Sequence, residues 1–164
     1  MKVYLFRHGQ KDSVPLKDPD LTRGGHEQAN RIAALITSGD FFRGTQFLTS
    51  PRLRAQRTLM PAAQLCQSQV QIVTDLDQRE PFETSEFFRA RIQKFVLSLE
   101  KKFSEKDIIY LCTHHDWIEE SLSLIAADTD LLETRYWHWN PAQFMEFDIL
   151  EGLWILRRFE RIQT

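Results

Sequence analysis

Three short stretches of the sequence carry residues suited to moving a phosphoryl group. LFRHGQ places Arg7, His8 and Gly9 directly after an apolar run. TSPRLRAQRT supplies Arg52, Arg54 and Arg57, and CTHHDWI supplies Thr113, His114, His115 and Asp116. An imidazole can act as nucleophile or proton carrier, and a guanidinium offers a planar fork of N–H donors that fits phosphate oxygens. Taken singly, each is an ordinary strand-end histidine or a solvent-facing arginine. What matters is whether the fold delivers them to one place.

The elements around them say that it should. KVYLF, from Lys2 to Phe6, is β-branched and aromatic without polar alternation, which suits a strand buried on both faces. After the polar stretch KDSVPLKDPD, Thr22 is the predicted N-cap of a helix with Ala29, Ile32, Ala33, Leu35 and Ile36 on one face, ended by Gly39. FLTS is a second strand, and Pro51 is expected at the first position of a helix that Pro61 should kink or split. VQIVTDL is a third strand, a helix is expected from about Thr84 to Lys102, and DIIYLC is the clearest strand signal. THHDWIEESLSLIAA continues as a turn and helix.

Strand and helix alternating in this way call for a three-layer α/β/α sandwich with a mostly parallel open sheet. QFMEFDI and LWILRRFERI, joined by LEG, should extend that sheet as an antiparallel hairpin. In open α/β sheets the ligand lies beyond the carboxyl ends of the strands. Arg7 and His8, the TSPRLRA arginines, and His114 all fall at such ends.

A chain of 164 residues is expected to form one domain, 1–164, with a core large enough to need no staples. With 21 Lys and Arg against 23 Asp and Glu, the net charge of −2 gives no broad basic face for nucleic acid. Cys66 and Cys112 form no CxxC pair and are read as buried, reduced thiols. The apolar run ending at Arg7 is too short for a signal peptide or a membrane span, so a soluble cytoplasmic protein with no membrane partner is expected.

These motifs together resemble the histidine phosphatase superfamily, also called phosphoglycerate-mutase-like. LFRHGQ resembles its RHG signature, LTRGGHEQA its "LT..G..QA" helix start, TSPRLRAQRT its "TSP..RA..T" segment, and CTHHDWI its second histidine segment. The resemblance runs from Lys2 to about Ile118 and is strongest toward the compact SixA-type phosphohistidine phosphatases. It implies that His8 is the nucleophile, forming a covalent phosphohistidine. It implies also that Arg7, Arg54 and His114 hold the phosphate, and that no cofactor or metal is needed. Arg52 and Arg57 are then read as surface charge.

One departure concerns the general acid. Many relatives carry a glutamate after the third strand in a pattern like "L.E", where LDQREPFE has Gln78. Either Glu80 or Glu83 substitutes from a shifted loop, or there is no dedicated acid and the leaving group needs little help. Asp77 is set aside because neighbouring strand residues point to opposite sides. A phosphoramidate leaves more readily than an alkoxide, so the substitution favours phosphohistidine over phosphoester. The substrate is expected to be a phosphoprotein or a phosphorylated small molecule, reached through an open pocket that only residues 77–86 can cover. The aromatic segment YWHWNPAQF is expected to pack the loop onto the sheet rather than border the pocket. A phosphate-binding regulatory protein with weak turnover and a mutase-type phosphotransferase are the alternatives.

Overall fold

A computed structural model describes residues 1–164. Six strands form one sheet: β1 (Lys2–Arg7), β2 (Gln46–Thr49), β3 (Val70–Ile72), β4 (Ile108–Thr113), β5 (Gln143–Leu150) and β6 (Leu153–Arg161). Their order is β3-β2-β4-β1-β5-β6. β1, β2, β3 and β4 run parallel, and β5 and β6 are antiparallel additions on the far side of β1. The hairpin turns through Glu151 and Gly152, with φ of 49° and 82°, conformations suited to a tight two-residue connection.

Helices α1 (Arg23–Ser38) and α2 (Leu53–Leu65) cover one face, and α3 (Ser85–Lys102) and α4 (His115–Leu122) the other. β1 shows why its sequence is apolar throughout. Tyr4 and Phe6 enter a cluster with Ile32 and Ile36 of α1 and Leu59 of α2. Val3 and Leu5 enter the opposite cluster with Ile92 and Phe95 of α3 and Trp117 of α4. Both faces are covered, so neither face of the strand can be polar. No helix is long and apolar enough to cross a membrane.

The capping expectations hold at atomic detail. Thr22 accepts a hydrogen bond from the Gly25 amide, and Gly39 ends α1 at φ 85°. Thr84 caps α3 by accepting from the Phe87 amide. Other local expectations are corrected. α2 is continuous through Pro61 rather than split, and it begins at Leu53, beyond Pro51. Its cap residue Arg52 makes no side-chain cap bond, and the Leu53 amide is instead taken by the Asp18 carboxylate at 3.1 and 3.2 Å. The third strand is shorter than VQIVTDL, because Thr74–Leu76 winds into a 3-10 turn. Cys112 is buried, but Cys66 is only partly so.

Candidate active site

The carboxyl ends of β1, β2 and β4 lie side by side, and each delivers one polar residue inward: His8, Ser50 and His114. Both histidines and Arg54 are almost wholly buried. The ring centroids of His8 and His114 are 5.2 Å apart.

The state of His8 follows from its contacts. Nδ1 lies 2.8 Å from the Gly9 carbonyl oxygen, which can only accept, so Nδ1 carries the hydrogen. Nε2 is left with its lone pair, and the Arg54 Nε–H donates to it at 3.3 Å. Burial holds the His8 pKa down to about 2, with the adjacent His114, Arg54 and Arg7 acting in the same direction. The imidazole is therefore neutral, with its free lone pair on Nε2.

Arg54 stands at the centre of the cluster. From the first turn of α2 it reaches His8 through Nε and His114 Nδ1 through Nη2 at 3.2 Å, and it donates to Gln78 Oε1 at 2.6 Å. Asp18 Oδ1 lies 3.6 Å from its Nη1. Arg7 donates from Nη1 to the Trp139 carbonyl, while its buried Nε–H has no partner. A buried cationic N–H without an acceptor is costly, and a phosphate oxygen would satisfy it.

Helices α1 and α2 brace the backbone just after His8. The Gly9 amide donates to Thr58 Oγ1 of α2 at 2.9 Å, and the Gln10 amide to Gln28 Oε1 of α1 at 2.9 Å. Gly25 lets α1 come in this close, because a Cβ there would stand 2.1 Å from the Gln10 carbonyl oxygen.

The acid candidates lie elsewhere. Glu80 pairs with Arg52 and is exposed, and Glu83 pairs with Arg91 at 2.6 Å. The Arg91 bond holds the Glu83 carboxyl below its usual range, against a small opposing effect of burial. Both glutamates line a cavity of about 320 Å³ together with Pro51, Thr74, Asp75, Asp77 and Arg91. Neither contacts His8 or Arg54. Gln78 does reach Arg54, but its amide has no acidic proton to give.

Three residues behave differently from the sequence expectation. Asp77 follows a 3-10 turn, so strand alternation does not govern it: it points inward, nearly buried, with Oδ1 3.5 Å from His114 Nε2. Arg52 is not plain surface charge, since its Nε donates to Asp77 at 2.9 Å. Asp18 joins the site from the β1–α1 connection, which therefore flanks the pocket along with residues 77–86. Nothing in KDSVPLKDPD distinguishes Asp18 from Asp12 or Asp20, so sequence reasoning had no signal for it. The aromatic segment packs only in part: Trp139 is buried, Trp137 and His138 are exposed, and the Trp139 backbone carbonyl accepts from Arg7. His115 lies 3.6 Å from Glu119, and Asp116 accepts from the Arg79 and Trp117 amides.

Comparison with known proteins agrees with this architecture. The phosphoserine phosphatase of Entamoeba histolytica, in complex with 3-phosphoglyceric acid, superposes with a TM-score of 0.77 at 20% identity, covering 99% of this chain and 98% of that one. The alpha-ribazole phosphatase of Shigella flexneri gives 0.76 at 18% identity, covering 100% and 99%. The protein histidine phosphatase SixA complexed with tungstate gives 0.69 at 17% identity, covering 98% and 97%. At these identities the likeness is one of fold. No curated protein matches the sequence. Residues 3–81, which include RHG, the start of α1, the TSPRLRA segment and LDQRE, match the histidine phosphatase superfamily (branch 1). That match spans a little under half of the chain, and over its whole length the chain shares the fold of the phosphatases named above.

Proposed function

We propose that the protein is a phosphatase that moves the phosphoryl group of its substrate first to His8 Nε2 and then to water. The observation that carries this reading is the fixed tautomer of His8. The Gly9 carbonyl holds the hydrogen on Nδ1, which leaves a neutral, buried Nε2 lone pair against Arg54 and beside the ring of His114. A site that only bound phosphate would gain nothing from a nucleophile in that state.

In the first step Nε2 attacks phosphorus as the bond to the leaving group breaks, and the leaving group departs with the electron pair. Arg54 exchanges its contact with Nε2 for the phosphoryl oxygens, and the free Nε–H of Arg7 and the ring of His114 meet the others. In the second step water attacks the same phosphorus, the N–P bond breaks, and inorganic phosphate leaves His8 as it began.

The substrate class follows from the missing carboxyl. Gln78 occupies the place beside Arg54, and Glu80 and Glu83 are held by other arginines. A phosphoimidazole protonated on its other ring nitrogen departs as neutral imidazole and needs no acid. An alkoxide does need one. A phosphohistidine-bearing protein is therefore the favoured substrate over a small alkyl phosphoester.

The test is hydrolysis of a phosphohistidine protein and of an aryl phosphate by the wild type and by His8→Ala. Both activities should be present in the wild type and vanish in the variant. Turnover that survives His8→Ala would refute the mechanism, and a wild type inactive on both substrates would refute the function.

A further inference from the structure

His114 stands in the wrong protonation state to receive an anion. Arg54 Nη2 can only donate, so the Nδ1 it contacts at 3.2 Å must be a lone pair, and the ring hydrogen is on Nε2. That hydrogen points to Ser50 Oγ at 2.7 Å and Asp77 Oδ1 at 3.5 Å. Arg54 also contacts the nucleophile, so Nδ1 is the ring atom that faces the phosphoryl position. A phosphate oxygen arriving there would meet a lone pair unless Nδ1 first took a proton.

The surroundings are built to accept that proton. Burial favours neutral His114, and the nearby Arg54 acts the same way, while the bond to Asp77 and the charge of Asp116 on α4 favour the cation. Burial alone would push the Asp77 pKa up, but its bonds to His114, Arg52 and the Gln78 amide outweigh this and hold it down to about 2. Asp77 is thus a permanent negative charge against the outer nitrogen of the ring. The remaining groups facing His114 are neutral Ser50 from the end of β2 and neutral His8 from the end of β1. Once Arg54 turns its charge onto a phosphoryl group, the main influence opposing the cation other than burial is offset.

We propose that Asp77 is a positioning residue that makes His114 take up a proton when a phosphoryl group enters, converting Nδ1 from an acceptor to a donor. The proton comes from water, or from the substrate when it binds as the monoanion. It remains on Nδ1 during transfer and returns to solvent when phosphate departs. No other bond is made or broken. This inference rests on the proposed phosphatase reading for the site but concerns a residue other than Arg7, His8, Arg54 and His114, the four to which the resemblance gives roles.

Calorimetric titration of the full chain with inorganic phosphate at pH 8, in buffers of different ionisation enthalpy, measures the proton directly. The wild type should take up close to one proton per site beyond that gained by phosphate itself, and ring-nitrogen NMR should place it on His114. Asp77→Asn keeps the shape and the Ser50 contact but removes the charge. It should abolish the uptake and lower kcat/KM about a hundredfold at pH 8, with partial recovery at lower pH. Arg52→Gln, which removes the other charged partner of Asp77 and leaves the Gln78 amide donating to it, should keep the uptake. A wild type that binds phosphate without protonating His114 overturns the proposal even if Asp77→Asn cannot be prepared. Uptake without hydrolysis would leave it standing and remove the phosphatase function instead, whereas failure to bind phosphate would overturn both.

Discussion

The Nε of Arg54 lies 3.3 Å from Nε2 of His8, so the residue that would stabilise transferred phosphate also holds the attacking atom in its neutral form. The guanidinium does this because it offers several N–H groups in one plane, serving His8, His114 and Gln78 together. A lysine presents a single point of charge and cannot. Arg54→Lys should therefore reduce kcat/KM for phosphohistidine by about a hundredfold with little loss of fold, measured by steady-state kinetics alongside circular dichroism.

Acid should weaken the fold through the same buried ring. The folded pKa of His8 is near 2 and its ordinary value is 6.5, so below pH 6.5 the unfolded chain binds a proton that the folded one refuses. Stability must fall as pH drops through that window, by about 2 kcal/mol between pH 6.5 and pH 5 from His8 alone. His114, also depressed by burial, adds in the same direction. Urea unfolding at the two pH values should show the loss, and His8→Asn should show a shallower one.

Restoring the missing carboxyl should change substrate preference. Gln78→Glu places an acid beside Arg54, where the amide now accepts at 2.6 Å. The ratio of alkyl phosphoester to phosphohistidine turnover should rise at least about tenfold, given what a positioned acid contributes. Glu80→Gln, by contrast, should leave both rates within about threefold, because that side chain is exposed and paired with Arg52. A large selective loss in Glu80→Gln would show that the loop carries the acid after all.

Gly25→Ala tests how the helix braces the nucleophile. The new methyl would sit 2.1 Å from the Gln10 carbonyl oxygen and 2.9 Å from Leu21, inside van der Waals contact on both sides. The start of α1 must move, and with it Gln28, which holds the Gln10 amide. A loss of about 1–3 kcal/mol in thermal or urea unfolding is expected, with reduced activity in the protein that remains folded.

Arg91 ties down the loop after β3 from below. It donates to the carbonyls of Asp75, Asp77 and Gln78, each at 2.9 Å, and pairs with Glu83. Replacing it with methionine keeps most of the apolar stem but strands the carbonyls of Asp77 and Gln78, while that of Asp75 keeps the Trp117 indole N–H. Arg91→Met should lower stability by about 2 kcal/mol or more and loosen Asp77 and Gln78, visible as faster amide exchange in residues 75–80.

Much of this was legible because the signals were local. Thr22 and Gly39 mark the ends of α1 by chemistry that acts within one helical turn, and KVYLF announces burial on both faces by lacking polar residues. Arg7, His8 and His114 drew attention because each ends or follows a strand, whereas Arg54 was singled out from Arg52 and Arg57 only by the spacing of the family it resembles. What was missed depended on distant partners. Pro61 does not split α2, because the helix packs on the sheet through Leu59, Ala62 and Ala63, and packing overrode the local penalty. Asp77 was misjudged because a 3-10 turn replaced the end of an expected strand, and Arg52 because its partner was the misjudged Asp77. Asp18 reaches α2 across a connection whose path no local pattern specifies.

β1 lies between β4 and β5, and Lys2 faces Ile108 on one side and Asp148 on the other. On the ribosome the strand that carries His8 is complete long before either neighbour exists, and at ~5–20 residues per second it waits on the order of ten seconds for the second one. During that interval KVYLF is an apolar segment with both edges unpaired, the kind of segment that chaperones bind and aggregates recruit. A nascent chain stalled before β5 would hold every residue matched by the RHG, TSPRLRA and CTHHDWI segments while the strand that leads into His8 still had one edge unpaired, an edge that only residues 143–150 can close.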